Sequence, residues 1–88
     1  EGRFSQMMLR QLQQSMGEKE TNWGMTTIQT YCDCYGSIQK ASALLHIHKN
    51  TMLYRMNRIY SALKLEAEDD FTKRFFLKIL LAYYRHQG

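Results

Sequence analysis

The sequence contains no proline and only five glycines in 88 residues, so little in it breaks a regular backbone. A chain so poor in breakers does not read as a long linker or a disordered segment. Its 44% hydrophobic and 23% charged residues are ordinary globular proportions. Cysteine is limited to Cys32 and Cys34, one residue apart. On a helix such a pair points to different faces, which excludes a bridge or a joint chelate. With no signal peptide visible, reduced thiols in a cytoplasmic protein are expected. No apolar run approaches the roughly 20 residues of a membrane span. Catalysis would need a nucleophile with its base, paired carboxylates or a glycine-rich phosphate loop. The chain offers only the adjacent Asp69 and Asp70, and aspartate at a helix start ordinarily caps the helix. The reading is a protein that is not an enzyme and needs no cofactor.

One further absence points the other way. No aspartate or glutamate stands between Asp33 and Glu66, and that gap holds Lys40, Lys49, Arg55, Arg58 and Lys64. The formal net charge of +4 is mild and merely permits a polyanionic partner. Its placement says more than its sum.

A chain of this length makes one small domain with a modest core. Its apolar spacing is helical throughout, with no strict alternation of a half-buried strand, which predicts an all-α domain of about five helices. Phe4, Met8, Leu12 and Met16 recur every four residues, and Gly17 then supplies a stop before a polar turn, "GEKETN". The chain opens at Glu1, inside this pattern, and reads as part of a longer protein or as a processed form. Residues 1–20 are accordingly expected to be a helix and turn leading from an upstream domain, and residues 21–88 to be the functional domain.

A second helix is expected over residues 23–35, with Met25, Ile28, Cys32 and Tyr35 inward and Gly36 ending it. Ser37 caps a short third helix, "IQKASALL", whose Ile38, Ala41 and Leu45 face the core. A fourth spans about 49–63 with Met52, Met56, Ile59 and Leu63 on one stripe. The last runs from Phe71 to about Arg85, capped by Asp69 or Asp70. It is apolar over more than half its circumference. Phe75, Ile79, Ala82 and Tyr83 are expected in the core, leaving Leu77, Leu81 and Tyr84 as a second face. That face is either covered within the domain or is a seam for a second copy or domain.

The turn between the third and fourth helices reads "HIH". A His-x-His pair can bind zinc, but a structural site wants four ligands. His86 is remote in sequence and the cysteines lie on another helix, so no metal is expected. His46 fills the turn and His48 begins the next helix. On that helix, at about 100° per residue, Asn50, Tyr54, Asn57 and Ser61 fall opposite the apolar stripe, flanked by Thr51 and Arg58. Arg55 lies nearer the buried edge, where its stem can pack while its head reaches a phosphate or a neighbouring helix's last carbonyls. A solvated helix face usually mixes charge signs. This one carries amides, hydroxyls and cations without a carboxylate, which is what a helix in a DNA major groove requires.

The stretch "SIQKASALLHIHKNTMLYRMNRI" resembles the C-terminal helix-turn-helix of PucR/CdaR-type bacterial transcription regulators, the purine-catabolism and sugar-diacid family. Leu45, Ile47, His48, Lys49, Asn50, Thr51, Met52, Tyr54, Arg55, Met56, Arg58 and Ile59 stand at that family's motif positions. The segment is also similar to the DNA-binding end of the factor for inversion stimulation. The likeness extends loosely from about Trp23 to the C-terminus. It departs at Cys32, where leucine is frequent, and at Phe71, where proline is frequent. The resemblance implies a double-stranded DNA-binding module of a larger, ligand-responsive regulator, homodimeric at full length. His48, Lys49, Asn50, Thr51, Tyr54, Arg55 and Arg58 would make the contacts. The rival reading is a helical interaction or dimerisation module without direct DNA contact, favoured by the apolar excess of the last helix and the methionine content.

Overall fold

The structure, a computed structural model, describes residues 2–86. It is all-α, and no strand occurs among the described residues. The helices are α1 (Arg3–Asp33), α2 (Ile38–Leu45), α3 (Lys49–Ala62) and α4 (Asp70–Arg85). There are four where about five were expected, because the polar turn over residues 17–22 is absent. Gly17 takes φ 80°, ψ 167°, a conformation that bends α1, and helix resumes at once. The Thr21 hydroxyl donates to the Gly17 carbonyl at 2.6 Å, closing the first turn of the second arm. A straight helix of 31 residues would run about 46 Å. The molecule extends 34 Å along its longest axis, so the bend is what lets both arms lie against one core. The buried Gly24 leaves space for the Met16 methyl across that bend.

The core joins all parts of the chain. Leu12, Ile28, Met52, Ile59, Leu77 and Leu80 are fully buried, and each such side chain contributes about 1.5–3 kcal/mol by leaving water. Met8, Leu9 and Met16, from the first arm, belong to the same cluster as Met25, Met56 and Leu81. The expected stripes hold for Met8, Leu12 and Met16, for Met25 and Ile28, and for Met52, Met56, Ile59 and Leu63. Phe4 and Tyr35 depart from theirs and are exposed, and Cys32 is only partly buried. Both cysteines are free thiols, and burial pushes the Cys32 thiol pKa up.

In α4 the expected faces are exchanged only in part, since Ile79 and Tyr83 stay half-buried and Tyr84 is exposed. Leu77, Leu80 and Leu81 are buried, whereas Phe71 is 74% and Phe75 52% exposed and Ala82 is exposed. A helix so broadly apolar carries two competing stripes, and α1 covers the leucine one. Phe71, Phe75, Phe76 and Phe4 then form a chain of ring contacts on the surface, with centroids 5.6–6.5 Å apart.

Three helix ends share one geometry. Tyr35 (φ 54°), His46 (φ 57°) and Lys64 (φ 58°) are left-handed residues closing α1, α2 and α3. In each case the following amide reaches back five residues, from Gly36 to Tyr31, from Ile47 to Ser42 and from Leu65 to Tyr60. Gly36, expected to end its helix as the left-handed residue, is second in such a pair. It faces the Arg74 side chain, whose Nη1 donates to the Tyr35 carbonyl at 3.0 Å and ties α4 to the end of α1.

Candidate nucleic-acid interface

Helices α2 and α3 pack together across a three-residue turn, His46, Ile47 and His48. The left-handed His46 reverses the chain, and Ile47 is half-buried against the core. His48 is extended, and its Nδ1 accepts the Asn50 amide at 3.0 Å. That bond caps α3 and places the remaining ring proton on Nε2 in the neutral imidazole. The His48 ring is exposed, so it presents a donor at the positive end of the α3 dipole. Among the described residues no three histidine, cysteine, aspartate or glutamate side chains gather as metal ligands.

Beyond the cap, Lys49, Asn50, Thr51, Tyr54, Asn57 and Ser61 are exposed along α3, opposite the buried Met52, Met56 and Ile59. This is a face of one lysine, two amides and several hydroxyls, with the methyl-rich Leu53 at 40% exposure beside them. Such groups can donate to phosphates, pair with base edges and touch thymine methyls. Lys40 on α2 and Lys64 after α3 are exposed at either side in sequence.

The two arginines stand apart from that face. Arg55 and Arg58 are both partly buried and turned toward the second arm of α1. The Arg55 guanidinium lies 5.0 Å from the Trp23 ring centroid and its Nη1 donates to the Thr27 hydroxyl at 3.2 Å. Within the chain it therefore reaches an indole and a hydroxyl, where a phosphate or a neighbouring helix's last carbonyls were expected. Arg58 Nη2 donates to Glu20 Oε1 at 2.8 Å, and this hydrogen bond and charge hold the guanidinium pKa above its ordinary value. The carboxylate-free span is thus a property of the sequence and not of the surface, since Glu20 enters it from α1.

Glu20 goes unread because "GEKETN" reads as a turn, and Trp23 and Thr27 stand on the expected second helix without being matched to an arginine. Once helix resumes after Gly17, their spacing of three and four places them on one stripe, which could have been read. Gln11, on the first arm, donates to the Ala62 carbonyl at 3.2 Å and satisfies one of the orphan acceptors at the end of α3. The pairs 11–62, 20–58 and 27–55 run in opposite senses, so α1 braces α3 antiparallel from Arg55 to Ala62.

No described helix is long and apolar enough to cross a membrane. No curated protein and no solved structure matches the chain. The family model for the PucR C-terminal helix-turn-helix domain matches residues 25–83, from the second arm of α1 to near the end of α4, with the whole α2–turn–α3 unit inside it. The chain belongs to the family of PucR C-terminal helix-turn-helix domains.

Proposed function

We propose that this chain binds double-stranded DNA sequence-specifically, as the C-terminal module of a ligand-responsive bacterial transcription regulator acting in the cytoplasm. In this reading α3 lies in the major groove. Lys49, Asn50, Thr51 and Tyr54 face base edges and phosphates, His48 meets a phosphate at the helix start, and Arg55 and Arg58 border the backbone on the α1 side. The observation that carries it is the exposed polar face of α3, mounted on a left-handed turn and braced by α1, in a chain of this family. Residues 21–88 are the DNA-binding domain, and the first arm, which shares its core, carries the connection toward the upstream part.

Binding of a labelled duplex across a salt series tests this. Neutralising several phosphates makes affinity fall steeply with salt, by a slope of about 0.9 per phosphate contacted. Affinity that is negligible or insensitive to salt contradicts the proposal.

The exposed Phe71 and Phe75 rings, flanked by Arg74 and Lys78, favour a second role for the same chain as a contact surface. A full-length homodimer would pair two recognition helices about 34 Å apart, matching one turn of DNA. This aromatic face is the surface in the chain that a second copy would bury. Sedimentation over a concentration range, with and without Phe75→Ser, tests that assignment. A chain that stays monomeric at high concentration contradicts it.

A further inference from the structure

Glu20 lies outside the residues matched to the family, on the first turn of the second arm of α1, and holds Arg58 at 2.8 Å. Resting on the DNA-binding reading above, we infer that Glu20 is an intramolecular competitor for DNA phosphate, occupying Arg58 in the free chain and yielding it when a duplex binds.

The chemistry makes the two partners interchangeable. A carboxylate and a phosphate offer the same guanidinium fork similar pairs of oxygens. The location makes the exchange feasible. The Arg58 and Glu20 side chains are 36% and 40% exposed, so the pair lies at the surface, where water and salt already weaken it. Arg55, three residues earlier on the same flank, has neutral partners in Trp23 and Thr27. One stripe of α1 therefore fixes one arginine structurally and holds the other by a charge that phosphate can replace. Among the described residues the Glu20–Arg58 pair is the one ion pair, so no network around it would have to break. Its effect is a brake on sequence-independent attraction to duplexes. Because Glu20 follows the bend at Gly17, a shift of this arm relative to α3 would release or tighten that brake.

The test is fluorescence anisotropy of the 88-residue chain with a fluorescein-labelled 20-base-pair duplex of random sequence, over a salt series. Wild type, Glu20→Gln, Arg58→Ala and the double variant are compared, with thermal melts to confirm folding. Glutamine keeps the size of glutamate and removes its charge. Arg58 ends on the same phosphate in both chains, so the salt slope stays near wild type, while Glu20→Gln, with no ion pair to break, binds up to about fivefold tighter. That gain should vanish in the Arg58→Ala background. A merely structural role for Glu20 would instead give weaker binding and a lower melting temperature. Glu20→Gln binding no tighter than wild type, while Arg58→Ala weakens binding, overturns the competitor role and leaves the DNA interface standing. An equal gain in both backgrounds overturns it too, since Glu20 would then act as a general repulsive charge. Wild-type affinity in Arg58→Ala removes Arg58 from the interface and the inference with it.

Discussion

The guanidinium of Arg55 rests 5.0 Å from the centre of the Trp23 ring and donates to the Thr27 hydroxyl, joining α3 to α1 by one side chain. Both contacts depend on a planar, multiply donating head. Arg55→Ala should therefore cost about 1–2 kcal/mol of stability, with loss of DNA affinity beside it. Lysine keeps the charge but not the plane, so Arg55→Lys should recover only part of that stability. Urea unfolding checks this, and an Arg55→Ala midpoint equal to wild type would remove the bracing role.

On the outward face the balance reverses. Asn50→Ala deletes an exposed amide with no part in the core, so its melting temperature should stay near wild type. Its affinity for a selected duplex should fall by about 1–3 kcal/mol. Lys49→Ala should weaken binding to all duplexes alike and lower the salt slope by about 1. Binding that survives both changes would move the contact surface away from α3.

His48 separates capping from DNA contact. His48→Ala removes the side-chain acceptor for the Asn50 amide and should cost about 1 kcal/mol. His48→Asp restores a good cap and a favourable charge at the helix start, so stability should return. The same carboxylate repels phosphate, so DNA binding should not. Recovery of both in His48→Asp would show that this position does not approach the backbone.

Left-handed residues other than glycine are strained. Lys64 (φ 58°) is exposed, and Lys64→Gly should raise stability by up to about 1 kcal/mol, read as a higher melting temperature. Gly36→Ala should do the opposite. Its φ is +83°, and a Cβ would stand 3.0 Å from the Arg74 side chain that ties α4 to α1.

Acid should act on the start of α4. Asp69 Oδ1 accepts the Thr72 amide at 2.7 Å, and this bond lowers the carboxyl pKa from its ordinary 3.8. A lowered folded pKa means the contribution is complete above the unfolded value and is lost as pH falls through the folded one. Acid unfolding followed by circular dichroism should show this loss below about pH 4 in wild type. Asp69→Asn keeps a capping oxygen that does not titrate, so its profile should be flatter there.

The all-helical class, the α2–turn–α3 unit, the cap at Ser37 and a cap at Asp69 or Asp70 were legible in the sequence, because each rests on local chemistry, whereas the cap made by the His48 ring was not. The polar face of α3 was legible for the same reason, being a matter of 100° steps around one helix. Gly17 was not, since a glycine at positive φ can end a helix or merely bend it, and only tertiary packing decides. That ambiguity hid Glu20, the partner of Arg58, whereas Trp23 and Thr27 stood on an expected helix and only tertiary packing shows that they meet Arg55. The faces of α4 were misassigned for a related reason. With leucines and phenylalanines on two stripes, periodicity cannot say which one α1 will cover.

Amide chemical shifts of the 15N-labelled chain, recorded while a duplex is added, test the account most directly. It predicts that the largest changes fall in the turn at 46–48 and along α3 from Lys49 to Arg58, with the Gln29 and Phe75 amides little moved. Changes concentrated on the aromatic face of α4, with α3 unaffected, would contradict it.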